Sequence, residues 1–327
     1  MRSELSVVVG LSAGERPLPL VSVVIPAHNA EAFVADAILS VLSQTHERVE
    51  LVVVDDGSDD RTREIAESFR DERLRVLGTA NRGVSHARNR GLEAATGEII
   101  AFLDADDRWF SEKLERQVPE LGSNPHLLAV GSFMRYESLD GRMLGQTGQA
   151  VGGVELELVA SGRLMPFPLS SILFKTSAVR QLGGFDETRP RTVGAEDLDL
   201  LARVASLGEI SCVEEVLGAY RVHPKSRSAT GLANQRMGVR FTRARLAGTK
   251  QGRELTWHAF ASTYRPSWRQ RHGDFVQANY RKAGQSVAGH RWFSALARGL
   301  LALATGPRYT LRRFLRQLGA TRRNNAG

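Results

Sequence analysis

Cysteine is almost absent from this sequence, since Cys212 is the only one among 327 residues. A single cysteine excludes an intramolecular disulfide bond and the cysteine clusters that hold structural zinc or iron–sulfur centres. Long apolar runs are missing too, because segments 7–11 and 292–305 are both too short to cross a bilayer. Residues 1–14 make a poor signal peptide. We therefore expect a cytoplasmic protein without transmembrane helices.

Acidic residues become scarce toward the carboxyl end. Residues 235–327 contain 19 Lys or Arg and 2 Asp or Glu, a net charge of +17, whereas the whole chain carries +8. Residues 1–234 therefore carry a net charge of −9. This asymmetry predicts a lead-in at 1–20, a main domain at 21–234 and a basic extension at 235–327. A strongly basic extension is attracted to polyanions, either nucleic acid or an anionic membrane surface.

Short β-branched runs alternate with amphipathic segments in the first part of the chain. The pattern predicts strands at 21–25, 49–54, 74–77 and 98–103, separated by helices at 30–43, 62–69 and 84–95. Such alternation is typical of crossover units and a parallel sheet, and the apolar runs 51–54 and 99–103 fit strands covered on both faces. Later segments predict helices at 111–121 and 195–206, strands at 127–133 and 210–220, and mainly helix beyond 235.

Polar residues cluster where the predicted strands end. The first strand runs into Pro26-Ala-His-Asn29, the second into an Asp-rich segment at 55–60, and the fourth into Asp104-Ala-Asp-Asp107. Ligands of an open parallel sheet lie at the carboxyl ends of its strands. Turns and helix caps favour the same residue types, so for positions 58–60 the structural and functional interpretations are equally good.

Three carboxylates within four positions repel one another unless a positive charge compensates them. Mg²⁺ and Mn²⁺ prefer carboxylate and phosphate oxygens and need only one or two protein carboxylates. The segment 104–107 therefore predicts a divalent metal that holds a diphosphate.

From residue 21 to about residue 230 the sequence resembles the family 2 glycosyltransferases. That family has the GT-A fold, an α/β, Rossmann-like architecture with a mostly parallel mixed sheet flanked by helices. The order and spacing of eight short segments carry the resemblance, since each is weak alone. They are Val21-Ser-Val-Val-Ile-Pro-Ala-His-Asn29, Val54-Asp-Asp-Gly-Ser58, Asn81-Arg-Gly83, Ala87-Arg-Asn-Arg-Gly91, Leu103-Asp-Ala-Asp-Asp107, Gly183-Gly-Phe-Asp-Glu187, Glu196-Asp197 and Tyr220-Arg-Val-His223.

The resemblance implies a donor site for a nucleotide-diphosphate sugar, with a UDP-sugar as the expected donor. Its members are Pro26, Ala27 and Asn29 against the base or ribose, Asp56 accepting a hydrogen bond from the base, Gly83 admitting the nucleotide closely, Arg88 facing the phosphates, and Asp104 meeting the ribose or sugar. Asn29 also suits a cap before the following helix, and Gly83 suits a plain turn.

The resemblance also implies a metal site and a catalytic pair. Asp106 would coordinate Mg²⁺ or Mn²⁺, and His223 could complete the metal's ligands. Asp197 matches the base that takes the proton of the acceptor hydroxyl in an inverting reaction, with Glu196 orienting it. The structural alternative is an acidic first turn that favours the helix dipole, an interpretation that fits Asp199 best.

The resulting hypothesis is an inverting, metal-dependent glycosyltransferase of cell-surface polysaccharide or glycolipid assembly. Its acceptor would be a saccharide or lipid-linked saccharide, and the basic extension could place it on the inner face of an anionic membrane. Two alternatives are a metal-dependent nucleotidyltransferase or phosphotransferase, which also uses paired aspartates, and a non-catalytic nucleic-acid-binding protein. The last leaves the acidic loops unexplained, so no nucleic acid is expected as partner.

Overall fold

A computed structural model describes residues 18–223, 232–288, 292–307 and 310–311. Most of the predicted lead-in at 1–20, and the end of the basic extension from residue 312, lie outside the described residues. The predicted division at residue 234 falls inside a helix that begins at Leu232.

The first half of the chain forms the predicted alternating unit. Its strands are β1 (Val21–Ala27), β2 (Val49–Asp55), β3 (Leu74–Gly78) and β4 (Ile99–Phe102), and its helices are α1 (Val34–Leu42), α2 (Thr62–Ser68) and α3 (Val84–Ala94). The four strands are parallel in the order β3-β2-β1-β4. Their carboxyl ends therefore meet along one edge.

The second half continues the sheet with mixed pairing. Its elements are β5 (Arg108–Trp109), α4 (Lys113–Ser123), β6 (Leu127–Glu137), β7 (Met143–Thr147), α5 (Val154–Ala160), a 3₁₀ turn (Leu169–Ser171), β8 (Leu173–Lys175), α6 (Thr176–Gln181), α7 (Glu196–Val204) and β9 (Glu209–Arg221). Within the described residues nine strands form one sheet, β3-β2-β1-β4-β8-β6-β9-β5, with β7 paired to β6. The sequence pattern missed β5, β7, α5 and α6, which are short and lie outside the alternating first half of the chain.

Apolar cores lie on both faces of the sheet. Val23 and Ile25 of β1 pack toward α1 and α4, whereas Val24 packs toward α3 and α7. Successive side chains of a strand point to opposite faces, so a strand covered on both sides must be apolar throughout. The prediction of two covered faces for the apolar runs 51–54 and 99–103 is confirmed, since each run contributes side chains to both cores.

Gly91 lies on the inner face of α3, against β1. A Cβ built on Gly91 would collide with both Cγ atoms of Val24. We expect Gly91→Ala to lower the free energy of unfolding by about 2 kcal/mol, because overpacking forces the helix away from the strand.

Gly122→Ala in α4 is the matched control, since a Cβ there meets nothing within 4 Å. Alanine favours a helix over glycine by about 1 kcal/mol, so this variant should be neutral or more stable. Urea unfolding measures both variants, and equal destabilisation would contradict the close-approach explanation.

Among the described residues after the sheet there are four helices: α8 (Leu232–Thr249), α9 (Trp257–Thr263), α10 (Trp268–Ala288) and α11 (Trp292–Thr305). The helical prediction beyond residue 235 is confirmed for the described part of this region. No helix in the described ranges combines the length and apolar character needed to cross a membrane.

Candidate active site

The loops after β1 and β2 are joined by Asn29. Its backbone N–H donates to Ser58 Oγ at 3.0 Å, and its side-chain Oδ1 accepts from the backbone N–H of Asp59 at 2.9 Å. Asn29 has a φ of 50°, a left-handed conformation that asparagine tolerates better than most residues. These bonds fix the loop after β1 against the loop after β2. Pro26 and Ala27, which are predicted to contact the base, are the last two residues of β1.

Asp56 organises the loop after β3. Its carboxylate accepts hydrogen bonds from Thr79 Oγ1 at 2.5 Å, Arg82 N at 2.7 Å and Gly83 N at 2.6 Å. Gly83 has a φ of 101°, which a side chain would strain, and it immediately precedes α3. The structure therefore brings Asp56 and Gly83 together, and Asp56 shapes the loop that Gly83 belongs to.

Asp104, Asp106 and Asp107 form a compact acidic cluster beyond β4. One ligand oxygen from each lies within 4.8 Å of the others. Asp106 and Asp104 are partly exposed, with side chains 31% and 36% accessible, whereas Asp107 is buried. His223 approaches from the end of β9, with Nε2 at 3.0 Å from Asp106 Oδ2. The two predicted metal ligands are therefore neighbours.

Asp107 is held from two sides by groups far away in sequence. Its Oδ2 accepts from Ser170 Oγ at 2.6 Å, and its Oδ1 accepts from the backbone N–H of Arg221 at 3.1 Å. The backbone N–H of Asp104 also donates to Ser170 Oγ, at 3.2 Å. Asp107 therefore supports the loop that carries the cluster.

The 3₁₀ turn behind the cluster is anchored by buried side chains that sequence reasoning missed. Trp109 Nε1 donates to the Ser170 carbonyl at 2.6 Å, and Lys113 Nζ donates to the Ser171 carbonyl at 2.9 Å. The apolar segment 170–174 gave no polar signal except its two serines. These contacts keep Ser170 aimed at Asp107 and Asp104.

The carboxylates of the acidic cluster repel one another. Burial raises the pKa of Asp107 well above its ordinary value, and the charges of Asp106 and Asp104 raise it further. A divalent cation relieves such repulsion, and partly exposed carboxylates with an imidazole suit Mn²⁺ or Mg²⁺. The residues present fit a metal held by Asp106, with Asp104 and His223 beside it.

Arg88 connects the acidic cluster to the predicted catalytic pair. Its guanidinium donates to Asp104 Oδ1 at 2.6 Å and to Glu196 Oε1 at 3.1 Å, while its side chain is 3% exposed. Burial opposes the charge of Arg88, but the carboxylates of Asp104 and Glu196 hold its pKa above the ordinary value. The structure therefore places Arg88 between carboxylates, where it fixes Asp104 and Glu196 in one site.

Asp197 is the second residue of α7, directly after Glu196. Burial raises the pKa of Asp197 above its ordinary value, and the charge of Glu196 raises it further, whereas the Leu198 N–H and Arg88 oppose the rise. Ala195, the residue directly before α7, has a φ of 71°, in the left-handed region that non-glycine residues rarely adopt. A carboxylate with a raised pKa is a better proton acceptor near neutral pH.

Asp199 lies two residues further along α7 and is completely buried. It pairs with Arg189 at 2.8 Å, with Arg203 at 2.9 Å, and with Arg245 of α8. Arg189 comes from the loop before α7, so this network joins that loop, α7 and α8. Asp199 therefore has a structural role as the carboxylate of a buried ion-pair network.

Asp199→Asn is expected to lower the free energy of unfolding by about 3 kcal/mol, because it leaves buried arginine charge uncompensated. Sugar transfer should also fall, since the network positions the first turn of α7. Urea unfolding provides the measurement. Asp140→Asn, at an exposed carboxylate in the β6–β7 turn, is the control, and an equal loss of stability in both variants would contradict the network's role.

Helix α8 also contacts the loop directly before Glu196 and Asp197, the predicted catalytic pair. A Cβ built on Gly238 would collide with the carbonyl oxygen of Gly194. Phe241 of α8 is fully buried, with the guanidinium of Arg189 at 4.8 Å from its ring centroid. The basic extension therefore begins as a support of the site.

A solvent-open cleft of about 440 Å³ lies between the start of α3 and the loop before α7. Two of its walls belong to the predicted site, Gly83 and Glu196. Arg82 and Arg191 also line the cleft, together with Glu187 and uncharged residues such as Pro190. The two arginines suit contact with an anionic substrate group.

Residues 22–182 match the family model described as glycosyl transferase family 2. An uncharacterised glycosyltransferase of Nostoc sp. is 30% identical over 246 residues, covering 72% of this chain and 73% of the relative. The chain belongs to the family 2 glycosyltransferases. The family predicted from the eight sequence segments is confirmed.

Two further relatives of this family 2 glycosyltransferase have more specific names. The putative teichuronic acid biosynthesis glycosyltransferase TuaG of Bacillus subtilis is 46% identical over 103 residues, which is 31% of this chain and 41% of TuaG. The UDP-Glc:alpha-D-GlcNAc-diphosphoundecaprenol beta-1,3-glucosyltransferase WfgD of Escherichia coli is 41% identical over 115 residues, 35% of this chain and 46% of WfgD. Both matches span less than half of either protein.

Solved structures confirm the GT-A fold. Residues 1–349 of S. aureus TarS, in complex with UDP-GlcNAc, align with a TM-score of 0.55 at 17% identity, covering 87% of this chain and 91% of that TarS fragment. The mannosyltransferase PcManGT from Pyrobaculum calidifontis, in complex with GDP-Man and Mn²⁺, aligns with a TM-score of 0.50 at 22% identity. The alignment covers 92% of this chain and 80% of the PcManGT chain. At such identities the likeness concerns the fold alone.

Proposed function

We propose that this glycosyltransferase moves a sugar, with inversion at the anomeric carbon, from a UDP-sugar to a hydroxyl of a lipid-linked saccharide. The observation that carries the proposal is Arg88, whose guanidinium binds both Asp104 of the acidic cluster and Glu196 of the acidic helix start. Asp104, the expected donor contact, and Glu196, the neighbour of the expected base Asp197, are thus held by one guanidinium. Displacement at a glycosidic carbon needs both a bound donor and a base.

The donor side is formed by the loops after the parallel strands. Asn29 and Asp56 fix the loops against which the nucleotide would lie, and Gly83 lies before α3 under the side chain of Arg191. The diphosphate would lie toward Asp104 and Asp106. The UDP-GlcNAc complex of TarS and the GDP-Man complex of PcManGT support a nucleotide-sugar donor in this fold.

Asp106 would hold Mg²⁺ or Mn²⁺, with His223 completing the set of ligands. When bound, the metal supplies Lewis-acid stabilisation of the charge that develops on the departing nucleoside diphosphate. Asp107 keeps the loop in place through Ser170 and the Arg221 backbone. The Mn²⁺ in the PcManGT complex supports metal use in this fold.

Asp197 would act as the base. Its carboxylate takes the proton of the acceptor hydroxyl as the hydroxyl oxygen bonds to the anomeric carbon. The bond from that carbon to the β-phosphate oxygen breaks, and the electron pair leaves with the nucleoside diphosphate. Attack opposite the leaving group inverts the anomeric configuration.

The relatives support an acceptor from cell-surface assembly. WfgD is named for transfer to a sugar on diphosphoundecaprenol, and TuaG for teichuronic acid biosynthesis. We assign the cleft beside Glu196 to substrate binding, where Arg82 and Arg191 would meet an anionic group. The family membership argues against the nucleotidyltransferase and nucleic-acid-binding alternatives.

Glu196→Gln is expected to move the acidic limb of the kcat–pH profile to lower pH. The base must be ionised, so kcat falls as pH falls through the pKa of Asp197, and the charge of Glu196 is one cause that raises this pKa. Steady-state kinetics across pH provide the measurement. A limb that moved to higher pH, or stayed in place, would argue against Asp197 as the titrating base.

A panel of nucleotide sugars tests the proposed function as a whole. Thermal unfolding with and without MnCl₂ should show metal-dependent stabilisation by one UDP-sugar, because a ligand that binds the folded state raises its stability by mass action. With a polyprenyl-diphosphate saccharide present, the same donor should release UDP. Release of sugar 1-phosphate instead would overturn sugar transfer in favour of nucleotidyl transfer, because transfer of the uridylyl group leaves the second phosphate on the sugar.

A further inference from the structure

Helix α11 exposes a row of leucines. Leu296, Leu300 and Leu303 are 64%, 57% and 45% exposed. Their spacing of four and three residues puts them on one side of the helix, and we name these three side chains the leucine face. Leu301 flanks it at 42% exposure.

The opposite side of α11 is packed against α10. Ala302 is fully buried, and Val276 of α10 is 3% exposed. A Cβ built on Gly306 would meet the side chain of Val276. His272 of α10 bonds through Nε2 to the Thr305 carbonyl oxygen at 2.8 Å. This packing fixes which side of α11 faces outward, so the leucine face is presented by the fold.

The sequence after Asp274 carries charge of one sign. Asp274 is the last acidic residue of the sequence, and ten Lys or Arg follow it. Asp274 itself forms ion pairs with Arg236 and with Arg240, the latter at 2.7 Å. The region that carries the leucine face is therefore strongly basic, and its partner should combine an apolar interior with a negative surface.

We propose that the leucine face docks on an anionic lipid bilayer, with α11 lying in the plane of the interface. Aliphatic side chains enter the boundary between headgroups and acyl chains, while nearby Lys and Arg are attracted to anionic lipids. A second copy of the chain fits less well, because two basic regions repel each other. RNA also fits less well, since single-stranded nucleic acid is held by stacking on aromatic side chains rather than on leucines.

Docking would hold the active site near lipid-linked acceptors, and this consequence rests on the proposed function. Lipid binding itself does not, because it needs only the leucine face and the basic charge. A failure of one can therefore be told from a failure of the other by measuring binding and transfer separately.

The test uses the full-length protein and flotation with phosphatidylcholine vesicles, with or without about 30 mol% phosphatidylglycerol. Wild type should float with the anionic vesicles and several-fold less with the neutral ones, and about 0.5 M NaCl should weaken the binding. Leu296→Gln with Leu300→Gln should lower the vesicle partition coefficient about tenfold, because two leucines no longer enter the apolar layer. Transfer to a water-soluble acceptor should be unchanged.

The matched control is Leu39→Gln with Leu207→Gln, at leucines of the first domain that are 53% and 45% exposed. This variant should bind vesicles like wild type. Circular dichroism checks that both double variants are folded, and Leu303→Gln alone provides a milder variant if the first pair is not.

Three results would overturn the proposal. The first is failure of the wild-type protein to float with anionic vesicles, and the second is a leucine-face variant that floats as well as wild type. The third is a wild-type dimer in sedimentation without lipid that becomes a monomer in the leucine-face variant, which would assign the face to a second copy.

Discussion

Asp197→Asn is expected to lower kcat for sugar transfer by about 10³-fold, while the affinity for the donor stays within about twofold. The asparagine keeps the shape of the side chain and can still accept the hydrogen bond that Asp197 Oδ1 receives from Leu198 N at 2.7 Å. It cannot take the proton of the acceptor hydroxyl. Steady-state transfer kinetics and calorimetric titration of the donor measure the two quantities.

The pH dependence gives a second readout for the same variant. Because the pKa of Asp197 lies above its ordinary value, the acidic limb of kcat in wild type should lie at higher pH than for an ordinary aspartate. Asp197→Asn should lose this limb along with the rate. Asp140→Asn is the control and should retain both. If Asp197→Asn lost donor affinity together with kcat, a structural role for Asp197 would replace the catalytic one.

Asp106→Ala is expected to abolish metal-dependent donor binding and to lower kcat/KM by about 10³-fold. Asp106 is partly exposed and lies against His223, so its removal deletes the predicted metal ligand without opening the core. Binding of Mn²⁺ and of the UDP-sugar, each measured by calorimetry, should weaken together. The melting temperature without ligand should change little.

His223→Ala separates the ligand assignment from the charge of the cluster. It should weaken Mn²⁺ binding by less than Asp106→Ala, because a carboxylate supplies both a ligand and a negative charge. Metal-dependent transfer at the wild-type rate in Asp106→Ala would refute the assignment of Asp106. The same result in His223→Ala would only remove the histidine from the set of ligands.

Much of the fold was predictable from short segments of sequence. The strands β1 to β4 and the helices between them show periodicities of two and of about 3.6 residues within a few consecutive positions, and their predicted bounds lie within a few residues of those observed. The short elements β5 and β7 lacked such a signal. Their formation depends on pairing with β9 and β6, which are distant or turn-linked partners.

The sequence named candidate residues for the site, but it did not indicate the hydrogen bonds and ion pairs between them. The motif spacing indicated Asp104, Asp106 and Glu196, whereas the hydrogen bond from Arg88 to Glu196 joins residues 108 positions apart. The contact of Ser170 with Asp107 spans 63 positions. No local pattern encodes such pairs, because they depend on how the elements pack.

The sequence by itself determined the alternating α/β architecture, the family and the identity of the acidic residues, because periodicity and motif order are written in consecutive residues. Only the tertiary structure decided that Arg88 joins the two carboxylate groups, that Asp199 fastens α7 to α8, and that the leucines of α11 face outward. An amphipathic helix specifies that one side is apolar. Whether that side is buried depends on what packs against it.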